Sequence, residues 1–155
     1  SVGAYDVVKA VLDEVGDVAF WRVRMRPGKP LAFGSYRGIP FLGVPGNPVS
    51  AMVSFEMFAR PAILKMAGHD KLERPRVEVT VLEDIDSDGR ESYIRAIVTR
   101  DERGYLARTT GGKGSHMMTS LVKANALLVV PEGVKAIQAG TKLKALMIDW
   151  SGGIF

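Results

Sequence analysis

The spacing of apolar residues changes several times along the chain, and each change marks an element. Val7, Val8, Val11, Leu12 and Val15 recur at helical spacing between Asp6, suited to an N-cap, and Gly16, suited to a C-terminal stop, so a helix over 6–14 is expected. The period then shortens to two. From Val18 to Arg26, Arg22, Arg24 and Arg26 alternate with Val23 and Met25, which predicts one strand with three guanidinium groups on one face. Pro27-Gly28-Lys29-Pro30 ends it, because neither proline can donate a ladder hydrogen bond. Two more strands, 31–36 and 39–44, are expected around an Arg37-Gly38 turn. Pro45-Gly46-Asn47-Pro48 then opens a long helical pattern with Asn47 as N-cap and Pro48 at the first helical position. That helix is expected to reach Met66, to kink or restart near Pro61, and to stop at Gly68.

The pattern changes character at Arg74-Pro75. Beyond it, short strand-like runs at 77–82, 93–99, 105–109, 126–130 and 142–148 are separated by turn signals, and only 116–123 reads as helix. The expected fold is therefore α/β followed by a small, mostly antiparallel β domain, a barrel or a sandwich. The boundary is placed near residue 74, giving domains over 1–74 and 75–150, with 151–155 as a tail.

Composition narrows the class. With 46% hydrophobic residues the 155-residue chain can bury a core, and its mixed charges and lack of low-complexity tracts exclude disorder and solenoid readings. Apolar runs such as 126–131 are too short to span a bilayer, and no leader pattern is visible, so a soluble, cytoplasmic protein is expected. The absence of cysteine excludes disulfides and thiolate metal sites, and two dispersed histidines, His69 and His116, exclude a histidine metal site.

The net charge of +4 is unevenly spread. No acidic residue lies between Asp17 and Glu56, whereas Arg22, Arg24, Arg26, Lys29 and Arg37 all fall there. A local basic patch of this kind suits a phosphate or oxyanion at least as well as a polynucleotide, and no nucleic-acid motif accompanies it. Three constellations could carry chemistry. The arginine strand with its Pro-Gly-Lys-Pro turn is an anion site or a solvated edge face. The Gly43 to Ser50 loop, where helix N–H groups and the Ser50 hydroxyl converge, is an anion cradle or an ordinary capped helix start. The Gly111 to His116 loop brings Lys113 and Ser115 as donors, with Arg95 as a partner from an earlier strand, or is a plain connection.

Taken together, these motifs resemble the molybdopterin molybdotransferase family, which includes bacterial MoeA and the E domain of gephyrin. Ser-Val-Gly with Asp6, Arg26-Pro-Gly-Lys-Pro30, Pro45-Gly-Asn-Pro-Val-Ser50, Tyr93-Ile-Arg95, Gly114-Ser115-His116 and Ala124-Asn125-Ala126 carry the likeness across nearly the whole chain. The resemblance implies part of an α/β, molybdopterin-binding domain followed by a small β-barrel domain. It implies insertion of molybdate into adenylyl-molybdopterin with release of AMP, a magnesium or similar divalent cation, and a homodimer without nucleic-acid or membrane partners. Asp6 is similar to an active-site carboxylate that holds the cation or polarises the adenylate. Arg22 and Arg26 fall where family members commonly have lysines, so direct proton transfer from them is disfavoured. Lys29, Pro30, Ser50, Arg95 and Ser115 match residues lining the molybdate and pterin-phosphate region. A chain starting here would lack the family's N-terminal domains, including a Thr-Gly-Asp segment, so it reads as a fragment whose independent catalysis is not implied. The gephyrin branch leaves a scaffolding role as the alternative.

Overall fold

The structure is a computed structural model that describes residue 14 and residues 16–111 and 122–149. The expected helices at 6–14 and 116–123 lie almost wholly outside the described residues. The chain forms two compact units that divide between Asp70 and Lys71.

In the first unit, strands β1 (Gly16–Arg22), β3 (Pro30–Tyr36) and β4 (Ile39–Gly43) form a three-stranded antiparallel sheet in the order β1-β3-β4. The β3–β4 hairpin closes on Arg37 and Gly38, at φ 51° and 78°, the left-handed pair required by a tight two-residue turn. The strand foreseen over 18–26 ends at Arg22, and Met25–Arg26 forms a separate short strand, β2. Arg22, Arg24 and Arg26 are nevertheless exposed and Met25 is buried, so the in-out alternation outlasts the β1–β3 pairing.

Asn47 caps the helix that follows, its Oδ1 accepting the Val49 N–H at 3.0 Å and the Ser50 N–H at 3.3 Å. Helix α1 (Pro48–Ser54) buries Val49, Val53 and Ser54, passes into a π-helical turn over Phe55–Ala59, and resumes as α2 (Arg60–Met66). The irregularity thus precedes Pro61. Without an N–H, Pro61 cannot bond the carbonyl one turn earlier, and its ring crowds that carbonyl, so the widened turn sits where the ladder would fail.

The second unit is built on strands β5 (Arg76–Val81), β7 (Glu91–Asp101), β8 (Gly104–Thr109), β9 (Ala126–Val130) and β11 (Lys142–Met147). They pair in the order β7-β8-β5-β11-β9, and β9 pairs back onto β7, which closes a five-stranded barrel. All contacts are antiparallel except β5–β8, which is parallel. Two short strands that no periodicity betrays, β6 (Ile85–Asp86) and β10 (Ala136–Ile137), pair beside it. Val79, Val81, Ala96, Val98, Ala107, Leu128, Val130 and Met147 fill the interior, where closure leaves no barrel strand with an open edge.

Asn125 helps close the ring. Its side-chain amide donates to the Val98 carbonyl at 2.9 Å and accepts the Val98 N–H at 2.7 Å, imitating a peptide group between β7 and the start of β9.

Candidate functional site

The basic stretch of the first unit folds into one loop. Register places Arg22 opposite Pro30 in the β1–β3 pair, and the Val23 N–H donates to the Lys29 carbonyl at 2.8 Å, so residues 23–29 leave the sheet and return to it within one closed excursion. Arg24, Arg26 and Lys29 are exposed on this loop, as is Arg22 at the end of β1 where it starts, while the loop's Met25 and Gly28 are buried. The fold thereby concentrates the cations of Arg22, Arg26 and Lys29 beside Pro30.

Gly28 fixes how the loop sits. Its φ is +106°, and a methyl group at its Cα would lie 2.8 Å from Ser54 Oγ and 3.2 Å from Met25 Cε. Only glycine combines that backbone angle with so close an approach. The turn carrying Lys29 is therefore seated on the last residue of α1. Ser50 lies four residues earlier on the same helix, about 6 Å along the axis at 1.5 Å per residue.

The cradle expected at 43–50 is only partly available. The N–H groups of Val49 and Ser50 are taken by Asn47 Oδ1, Pro48 has none, and the Ala51 N–H donates to the Asn47 carbonyl at 2.8 Å. For these donors the ordinary capped start is what forms, and an anion there would have to use the Ser50 hydroxyl or groups ahead of the cap. At Gly46 a methyl group would meet nothing within 4 Å. Packing within the described structure thus gives no reason for glycine at that position.

A separate cavity of about 500 Å3 is lined by Val23, Leu31, Phe33, Leu42, Met57, Phe58 and Pro61. Its lining is apolar and offers no side-chain donor, so it does not suit an oxyanion.

In the second unit, Arg95 lies on β7 between Ile94 and the buried Ala96, on the outer face. Burial lowers its pKa from the ordinary guanidinium value, yet an arginine stays charged in a protein. Its carbonyl accepts the Thr110 N–H at 3.0 Å, and a methyl group on Gly111 would lie 3.3 Å from its Nη2. Arg95 therefore lines the entry to the glycine-rich loop. The start of that loop is anchored by a residue the sequence pattern did not single out. Glu83 Oε1 accepts from both the Thr109 N–H and the Thr109 hydroxyl at 2.6 Å. These two hydrogen bonds, helped by the Arg108 charge, lower the Glu83 pKa against the opposing effect of burial. Asp6 and Ser115 lie outside the described residues.

A family model described as a probable molybdopterin binding domain matches residues 1–65, and one described as the MoeA C-terminal region (domain IV) matches 78–148. The chain belongs to the MoeA/gephyrin family. It is 36% identical to the molybdopterin molybdenumtransferase of Haemophilus influenzae over 143 residues, covering 90% of this chain and 35% of that protein. It is 35% identical to the gephyrin of Dictyostelium discoideum, covering 96% of this chain and 24% of that one. Two solved MoeA structures from Pyrococcus horikoshii superpose with TM-scores of 0.78 and 0.65 at 26% and 28% identity, covering 93% and 91% of this chain. They cover 35% and 37% of the solved chains. This member of the MoeA/gephyrin family thus spans about a third of the Haemophilus relative's length.

Proposed function

We propose that the chain is part of a molybdopterin molybdotransferase, acting in molybdenum cofactor biosynthesis by exchanging the adenylyl group of adenylyl-molybdopterin for molybdate and releasing AMP. The observation that carries this reading is the closed 23–29 loop, which exposes Arg24, Arg26 and Lys29 next to Arg22 at the end of β1, all inside an acid-free stretch. Phosphate and molybdate are both oxyanions, and guanidinium and ammonium groups held beside them offset negative charge as a phosphate bond breaks. Arg22 and Arg26 present forked donors to anionic oxygens, and Lys29 adds a compact charge at the turn. Arg95, at the 110–111 loop of the second unit, supplies an anion contact in that unit, and Ser115, beyond the described residues, is its proposed partner.

We read the intact protein as a cytoplasmic homodimer. Among the described residues no helix is long and apolar enough to cross a membrane. Among the described residues no group of three or more acidic or histidine side chains could hold a magnesium ion, and Asp6, the carboxylate the resemblance assigns to the cation, lies outside them. The gephyrin-like scaffolding role is the weaker reading, since several relatives at 36–38% identity, matched over 35–37% of their own length against 24% for the gephyrin, are named as transferases.

The test is AMP release by the intact protein with adenylyl-molybdopterin, with and without molybdate. Molybdate-dependent release is expected, and Arg26→Ala should depress it far more than it depresses thermal stability. Release indifferent to molybdate would favour the scaffold, and an equal loss of activity and stability would make Arg26 structural.

A further inference from the structure

Ser54 is fully buried at the end of α1, and its Oγ has no hydrogen-bond partner among the described residues. A serine within a helix ordinarily returns its hydroxyl to the carbonyl one turn earlier, here that of Ser50. Ser54 does not. Its hydroxyl lies instead against Gly28, the glycine that turns the chain toward Lys29. The helix also changes character at this point, with the π-helical turn beginning at Phe55. Widened turns of this kind often occur at functional positions. A buried hydroxyl with no partner destabilises the protein that keeps it, and replacing it by an apolar group of similar shape is neutral or stabilising.

We propose that Ser54 is a positioning residue for the anion-binding turn: when Lys29 engages an oxyanion, Ser54 Oγ accepts the peptide N–H of Gly28 or Lys29 and holds the turn in its binding geometry. The proposal rests on the reading of the 23–29 loop as an anion site. It deepens that reading by assigning a role to a residue that touches no substrate. Hydrogen-bonding capacity left unused in the free protein is satisfied on binding, so the hydroxyl favours the bound turn over the free one.

The experiment uses the intact protein and inorganic molybdate as probe, with affinity measured by calorimetric titration and stability by thermal melting, for wild type, Ser54→Ala and Lys29→Ala. Ser54→Ala is expected to melt at or above the wild-type temperature while binding molybdate roughly two- to tenfold more weakly, the range of one neutral hydrogen bond. A lowered melting temperature or failure to fold would make Ser54 an ordinary packing residue and overturn the proposal. Unchanged molybdate affinity in Ser54→Ala would also overturn it. Lys29→Ala separates the two readings. If it weakens binding and Ser54→Ala does not, only the positioning role fails; if it has no effect, the anion-site reading fails and the positioning role with it.

Discussion

Replacing Gly28 by alanine should be among the most damaging single-methyl changes available in the first unit. Two costs combine. A non-glycine residue at φ +106° is strained by about 1–3 kcal/mol, and forcing a methyl to 2.8 Å from Ser54 Oγ and 3.2 Å from Met25 Cε adds about 1–3 kcal/mol of overpacking. The smaller conformational freedom of alanine in the unfolded chain returns about 0.4–1 kcal/mol, leaving a net loss of about 1–5 kcal/mol, centred near 3. Met25 Cε can swing aside, whereas Ser54 is confined by its own burial, so the serine contact is the harder to relieve. The assay is urea unfolding followed by Trp21 fluorescence in a Trp150→Phe background, so that the probe lies on β1 and reports the first unit alone. With a slope of about 1–2 kcal/mol per molar, a loss of about 3 kcal/mol should lower the midpoint by roughly 1.5–3 M. In a Ser54→Ala background the same change should cost about 1 kcal/mol less. A loss below about 1 kcal/mol, or strict additivity of the two substitutions, would refute the seating of the turn on the helix.

Two further outcomes are expected. The Glu83 pKa is lowered by its Thr109 hydrogen bonds, so its contribution is present above the ordinary glutamate value near 4.5 and disappears as pH falls through the folded value. Glu83→Gln should therefore lower stability slightly at pH 7, by under about 1 kcal/mol because solvent screens the group, and the gap in melting temperature from wild type should close in acid; a gap independent of pH would contradict this account. Asn125→Asp keeps the shape but replaces a donor facing the Val98 carbonyl with a carboxylate oxygen. A loss of about 2–3 kcal/mol, roughly 10–20 °C in barrel melting, is expected. Faster amide exchange at Val98 should accompany it, and unaltered exchange would mean the bridge is unimportant.

Local pattern revealed some of this architecture and was blind to the rest for definable reasons. The Asn47 cap, the hairpin around Arg37-Gly38 and the barrel strands are written in nearest-neighbour chemistry, which a single sequence displays. The break after Arg22 is not, because exposure keeps alternating through Met25 and Arg26 after the pairing ends. The π-helical turn adds one residue to a pattern whose tolerance exceeds one residue, with only Pro61 hinting at trouble. Strands as short as 85–86 and 136–137 contain no period at all. The Asn47 cap and an anion cradle at the same helix start compete for the same donors, and the cap takes the Val49 and Ser50 N–H groups. Arg95 could be linked to the glycine-rich loop because a strand and a loop were each legible. Glu83 could not be linked to Thr109, since 26 residues separate partners whose meeting depends on the parallel β5–β8 contact.

The position of β11 in the barrel affects how the protein is made. β11 lies between β5 and β9, yet it comes after all the other barrel strands in the chain. During synthesis, β5, β7, β8 and β9 emerge in order while the seam between β5 and β9 stays open. The ring can close only after Met147 has left the ribosome. Until then the second unit exposes apolar side chains that closure would hide, whereas β1, β3 and β4 have already emerged and can pair, so nascent chains stalled shortly before residue 142 should be the ones that chaperones hold.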